Sequence, residues 1–350
     1  MDQSKIKPSF DNNRQKLGRI FPIDTPFTVI LDTSEACNFK CNYCFRSCKD
    51  KKVWGYAKER NLMTRDTFQI AFNQIMDFPK PVRQVSLSNH GEPLMNRDIS
   101  WMARYMRNQG YEGRISIHTN ASLLDEIFSE ELAEAGFSRI VISIQGLSKR
   151  KYRDVCGANV DFDRLIKSIE ILHKVRKSDL TEIDVKIADS AISLDEQADF
   201  YKIFTPIADK VFVEKTVPIW KDFSIDSKSE FNNKFGQVFP IQQCCPLIFH
   251  TIVVTPKGDV YPCTQLLCPH CLGNIRENTL KYYWDCDERY FLLREILTLS
   301  TPKMCEGCYI RQNSIYSEED MIDDYRSEIL TRLDADQSRY RVKFSEYRGK

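Results

Sequence analysis

Three cysteines fall within eight residues, at Cys37, Cys41 and Cys44. Disulfides use thiols in pairs, and a structural zinc takes four ligands. A tight set of three points instead to a metal site with one coordination position left for something else. On a cubane iron–sulfur cluster each thiolate binds one iron, so three of them leave the fourth iron open to a small molecule. Eight more of the thirteen cysteines lie between Cys244 and Cys308, and Cys156 stands alone between the two groups. Buried structural cysteines would scatter along the chain. Two dense groups read as ligands, with Cys48, just past the first motif, as a bystander.

These thiols need a frame. From Phe27 to Thr216 short β-branched runs alternate with helix-period segments. The runs are FTVILDTS, VRQVSLSN, RISIHTN, RIVISIQ, EIDVKIAD and KVFVEKT. The periodicity predicts helices near 64–77, 98–109, 124–135, 161–177 and 194–205, the last opened by a Ser193–Glu196 capping box. Six strands alternating with helices predict a parallel sheet with right-handed crossovers, either an open doubly wound sheet or part of a barrel. In such folds ligands bind at the C-terminal edge of the strands, which is where the first cysteine group falls. After Val217 the pattern breaks into a connector. FHTIVVTPKGDVYPC then predicts a hairpin turning at Lys257-Gly258-Asp259. A helix is expected near 279–299, then Cys305 and Cys308. The charged tail carries a docking stripe of Ile315, Met321, Ile322, Tyr325, Ile329 and Leu333.

The 350 residues suffice for one barrel-sized domain and a smaller one, with 42% hydrophobic residues for the cores. A net charge of +1 argues against a nucleic-acid binder that works by bulk charge. No run has the length and apolarity of a membrane span, and the N-terminus has no signal core. The expectation is a cytoplasmic protein with neither a membrane nor a nucleic acid as partner.

The motif Cys37-x3-Cys41-Asn42-Tyr43-Cys44 resembles the hallmark of the radical S-adenosylmethionine (radical SAM) superfamily. The resemblance implies a partial (β/α)6 barrel of the TIM type. It also implies a [4Fe–4S] cluster whose open iron chelates the amino and carboxylate groups of SAM. Cleaving SAM then gives a 5′-deoxyadenosyl radical that abstracts hydrogen from an unactivated carbon. Gly91-Glu92 resembles the family's glycine–glutamate pair that binds the SAM amino group, although the position before it is His90 rather than glycine. Asn120 in HTNA, Ser143 in SIQG and Tyr43 stand where relatives contact SAM. Ordinary strand-end packing is the plain alternative for each.

The later cysteines resemble the SPASM/twitch module, which holds auxiliary clusters. The resemblance implies Cys245, Cys263, Cys305 and Cys308 as ligands of one auxiliary [4Fe–4S] cluster, with Cys245 chosen over Cys244 by register with Gly258. Full SPASM domains have more cysteines after the final C-x2-C; none follows Cys308, which points to the shorter twitch form. Cys244, Cys268, Cys271 and Cys286 remain alternatives, and a zinc site of Cys268, Cys271, Cys305 and Cys308 competes. The expected layout is an extension at 1–24, a barrel at 25–217, a connector at 218–243, the cysteine-rich domain at 244–312 and a helical tail at 313–350.

This architecture is similar to twitch-type aminocyclitol dehydrogenases, which implies oxidation of a carbinol to a ketone. The short stretch before the first strand favours a small molecule or glycan as substrate. A flavodoxin or ferredoxin is the implied reductant. Epimerisation is the rival chemistry, with Cys156 in YRDVCGANV as hydrogen donor and Arg153 as substrate contact in a loop after the fourth strand. The basic run Lys149, Arg150 and Lys151 reads as solvated. A non-catalytic iron–sulfur electron carrier is the rival of another class, but it needs no SAM-binding residues at strand ends.

Overall fold

The structure is a computed structural model. It describes residues 15–177, 179–217, 233–234, 236, 240, 242–266, 269–313 and 318–340. Cys268, Ile315 and most of the expected connector lie outside the described residues.

The six expected strands are present as β1 (Thr28–Leu31), β2 (Gln84–Ser86), β3 (Arg114–Thr119), β4 (Arg139–Ile144), β5 (Glu182–Ala188) and β6 (Lys210–Glu214). All pair in parallel with their sequence neighbours, as β-branched runs joined by helical crossovers require. The sheet does not stop there. Three further strands, β7 (Thr251–Val254), β8 (Asp259–Tyr261) and β9 (Gly273–Asn274), continue it in the order β6-β5-β4-β3-β2-β1-β7-β8-β9. Strand β7 runs parallel to β1, with Thr28 opposite Thr251 and Leu31 opposite Val254. The cysteine-rich region is therefore fused to the barrel edge through main-chain hydrogen bonds. The nine strands form an open, partial barrel with β6 and β9 at its edges.

The helices follow their caps. Thr64, Asp125 and Asp161 each accept a hydrogen bond from the third amide of helices Arg65–Met76, Glu126–Ala133 and Phe162–Val175. The Ser193–Glu196 box forms, with Ser193 N donating to Glu196 Oε2 at 2.9 Å. The α-helix itself starts only at Gln197, so the box closes a turn ahead of the helix. The single helix expected at 279–299 is two, Leu280–Trp284 and Asp287–Leu297. Cys286 breaks it by acting as the N-cap of the second, its sulfur accepting from Arg289 N at 3.4 Å. The loop expected after β4 is instead a helix, Lys149–Cys156. Ser148 caps its start, Gly157 ends it at φ +65°, and Tyr152, Val155 and Cys156 supply its one buried stripe.

Two large cores hold this frame. One fills the space between sheet and helices. The other joins Phe21, Phe249, Leu293 and Ile296 to Ile322, Ile329 and Leu333 of the predicted tail stripe. A third, small core of Phe45, Ala57 and Leu266, with Trp54 and Tyr56 against it, ties the first cysteine loop to the second cysteine region.

Candidate active site

The first cysteine loop leaves β1 and is clamped to two neighbours. Glu92 N donates to Ala36 O at 2.8 Å, while Lys40 N and Asn42 N donate to Cys156 O and Val155 O at 3.0 and 2.8 Å. Cys37, Cys41 and Cys44 are all partly buried. Burial pushes the Cys37 thiol up to about 11, and the nearby Glu92 and Cys44 add to this. Cys41 is raised first by its contact with Cys156, then by burial and by Cys44 and Cys37. Burial raises Cys44 as well. The three sulfurs thus share one desolvated space in which each disfavours ionisation of the others. A bound cation would reverse that balance and displace the thiol protons.

Glu92 is buried, at 3% exposure. Its Oε1 accepts from Leu94 N (3.0 Å) and Thr119 Oγ1 (2.5 Å), and its Oε2 from Asn120 N (2.7 Å). Desolvation outweighs these bonds and raises its carboxyl to about 7. Gly91 is required by sterics: a Cβ there would lie 2.0 Å from Ser34 O and 2.5 Å from Ala36 O. His90, the departure from the family pair, has its own place. Its Nε2 meets Thr264 O at 2.9 Å, its Nδ1 lies 3.1 Å from Tyr56 Oη, and its ring packs edge-on to Phe45. A glycine could not make this link, which joins the Glu92 loop to the residue after Cys263.

Asn120 Nδ2 donates to Asn38 Oδ1 at 2.9 Å, tying the end of β3 to the cysteine loop. Tyr43 Oη donates to Gln145 Oε1, and Gln145 Nε2 to Ser143 O at 3.1 Å. Tyr43, Ser143 and Asn120 therefore sit on three elements around one mouth. Cys156 does not lie in a loop at that mouth. It ends the Lys149–Cys156 helix, is 1% exposed, and donates to Tyr152 O at 2.9 Å. Arg153 is exposed on the outer side of the same helix.

Below the mouth is a lumen of about 770 Å³ lined from β1 through β7. Its lining is more apolar than polar, with Ser88, Asn89, His118, Lys186 and Glu214 among its polar groups. Glu214 pairs with Lys186 and, at 3.1 Å, with Lys234. The two lysines hold its carboxyl down at about 2 against the cost of burial. The His118 ring is exposed on the lumen, which is itself open to solvent. Desolvation, with Lys186, Lys234 and Arg139 around it, drives its pKa well below the usual histidine value and keeps it neutral. Sequence reading quoted His118 within a strand but gave it no role. The alternation of RISIHT, which turns Arg114, Ser116 and His118 to one face, was the available signal.

In the second region Cys263 is partly buried, and desolvation followed by Cys245, Cys305 and Cys308 raises its thiol. Burial and Cys308 push Cys305 up to about 12. The neighbouring cysteines are otherwise employed. Cys244 points into the second core and donates to Ile296 O at 3.3 Å. Cys286 caps a helix, and Cys271 is exposed beside Gly273. Among the described residues no three histidine, cysteine or carboxylate side chains close around a single metal ion. Both sets consist of soft thiols alone, the donor chemistry that iron–sulfur clusters take.

Comparison with known proteins agrees with this division. Residues 31–184 match the Radical SAM superfamily, and residues 244–309 match the SPASM iron–sulfur cluster-binding domain. An AdoMet-dependent heme synthase of Methanosarcina barkeri is 23% identical over 87% of this chain and 97% of its own. Against several other curated relatives the chain spans only 34% to 45% of their length. Among solved structures, Streptococcus suis SuiB bound to S-adenosylmethionine superposes with a TM-score of 0.59 at 19% identity, covering 86% of this chain and 77% of that one. BtrN in complex with AdoMet and 2-DOIA gives 0.53 at 16%, covering 84% and 96%. At these identities the structures speak for the fold. Residues 31–184 are a radical SAM domain and residues 244–309 a SPASM domain, a pair that implies a SAM-binding [4Fe–4S] cluster and auxiliary iron–sulfur clusters.

Proposed function

We propose that the protein oxidises a carbinol carbon of a small polar substrate, a sugar or aminocyclitol, to a ketone. In this reading Cys37, Cys41 and Cys44 hold the SAM-binding cluster. Cys245, Cys263, Cys305 and Cys308 hold one auxiliary cluster, whose four irons are then fully ligated by protein. Together the bound groups supply a carbon radical that takes a hydrogen atom and an acceptor for one electron.

The chain's own residues do the rest. Glu92 meets the SAM ammonium, and Tyr43, Asn120 and Ser143 frame the cofactor at the strand ends. Ser88, Asn89 and Lys186 offer hydrogen bonds to substrate hydroxyls in the lumen. His118, neutral and facing that lumen, accepts the hydroxyl proton on an imidazole nitrogen. Glu214 is a weak base because its two lysines hold its pKa down at about 2. The reductant on this reading is a flavodoxin or ferredoxin.

The observation that carries the proposal is the lumen onto which Ser88, Asn89, His118 and Lys186 face, in a fold where the small core of Phe45, Ala57 and Leu266 ties the first thiol loop to the second cysteine region. Epimerisation is less favoured because its donor candidate, Cys156, is buried against Cys41. The test is anaerobic turnover with dithionite and candidate polyols in deuterated water. One carbonyl per SAM cleaved supports oxidation. Deuterium at carbon without net oxidation replaces it with epimerisation.

A further inference from the structure

Charge is spread unevenly over this molecule. Residues 37–60 and 148–157, the cysteine loop with its following turns and the helix beside it, hold eleven lysines and arginines against three carboxylates. That is an excess of eight on a chain whose net charge is +1, so the remainder is seven negative. The stretch that follows the second cysteine set has the opposite sign. From Glu306 to Asp324 there are six carboxylates and one arginine.

Apart from the buried Arg46 and the half-buried Lys151, these cationic residues are exposed, Lys40, Lys149, Arg150 and Arg153 among them. Lys40 and Asn42 flank Cys41 and are hydrogen-bonded through their amides to the end of the Lys149–Cys156 helix. On the other side, the exposed Arg60 reaches Cys37 O at 3.4 Å. Neutralisation within the fold is slight. The Arg150–Asp154 pair spans 3.7 Å with both side chains largely exposed, a geometry worth little. Lys151 pairs with Glu196 at 3.2 Å. Lys149, Arg153 and Lys40 have no carboxylate partner among the described residues. A hollow of about 390 Å³ between Asn42, Arg150, Lys151 and Ser190 roughens this face.

We propose that this face, formed by the exposed side of helix Lys149–Cys156 with Lys40 and Asn42, docks an acidic one-electron carrier protein. The inference rests on the reading that Cys37, Cys41 and Cys44 hold the cluster that must be reduced. A compact cationic patch over Cys41 steers an acidic partner, and the negative side near Cys305 repels it from the wrong thiol set. What passes across the surface is one electron and no atoms. Interfaces for such encounters are small and salt-sensitive, which suits an eight-residue helix and a loop. A nucleic acid or an acidic peptide would also be drawn to positive charge. Neither gains anything from a position beside Cys41, so the location favours the carrier.

The test uses reconstituted holoenzyme with an acidic flavodoxin and an acidic [2Fe–2S] ferredoxin as probes. The variant is Lys149→Glu/Arg150→Glu. Lys174→Glu/Lys177→Glu makes the same charge change at exposed positions on and just past the C-terminal end of the Phe162–Val175 helix. The first variant should weaken carrier binding by calorimetry at least ~10-fold and lower carrier-driven 5′-deoxyadenosine formation in step. Dithionite-driven formation should stay within about two-fold of wild type, and the control variant should bind carrier normally. Wild-type affinity should fall as salt rises. Unchanged carrier binding in Lys149→Glu/Arg150→Glu, or equal losses in both variants, overturns the proposal. So does loss of binding to a short RNA or acidic peptide with carrier binding intact. If wild type makes no 5′-deoxyadenosine with dithionite, the functional reading fails on its own account, whatever the carrier does.

Discussion

The two thiol sets differ in completeness, and the difference separates their tasks. The first comes from one loop of eight residues, carries three sulfurs, and is flanked by a buried carboxylate, Glu92. The second gathers four sulfurs from three segments up to 63 residues apart. A three-thiol set held by one loop can present an open metal corner to a ligand. A four-thiol set closed from several segments ties the chain together and leaves no corner free.

The largest expected break in this comparison is at Cys41. Cys41→Ala should lower 5′-deoxyadenosine formation by at least ~10³-fold, about 4 kcal/mol in the barrier. Cys263→Ala should keep SAM cleavage within ~10-fold while abolishing ketone formation and removing about half the bound iron. Equal losses of SAM cleavage in the two variants would erase the distinction.

Glu92 sharpens it. Its carboxyl sits near 7 when folded, so it ionises as pH rises through neutrality, and an approaching ammonium favours that ionisation. SAM affinity, measured by calorimetry, should therefore increase from pH 6 to pH 8, and Glu92→Gln should flatten the dependence and weaken binding ~10-fold or more. The stability sign is opposite. The group's folded pKa is raised above its ordinary value near 4.5, so SAM-free protein loses stability as pH rises from there through about 7.

Next in size is Gly91→Ala. Its Cβ would force the Glu92 loop away from Ser34 and Ala36, costing about 1–3 kcal/mol in denaturant unfolding. The smallest effects distinguish neighbouring cysteines. Cys245→Ala should lose auxiliary iron, whereas Cys244→Ala should keep it and lose only about 1 kcal/mol of packing. Cys286→Ala should likewise keep its iron and cost about 1 kcal/mol, the worth of an N-cap.

Much of this was legible in sequence because it depends on local chemistry. The β-branched runs became β1 to β6, and the helices that Thr64, Asp125 and Asp161 cap fall where the periodicity placed them. The helix Lys149–Cys156 was missed because four of its first five residues are charged and only three face inward. The break at Cys286 was missed because a thiol is a rare cap and its neighbours continue the helical period.

By itself the sequence determined the strand and helix order, the three-thiol loop, and the Gly91-Glu92 turn, since each follows from residues close in the chain. Tertiary structure alone decided that β7 extends the barrel sheet beside β1, that His90 bridges to Thr264, and that His118 faces Lys186 and Glu214 across a lumen. These facts join residues dozens to hundreds of positions apart. Hydrogen-bond register and desolvation fix them, and both exist only once the chain has closed on itself.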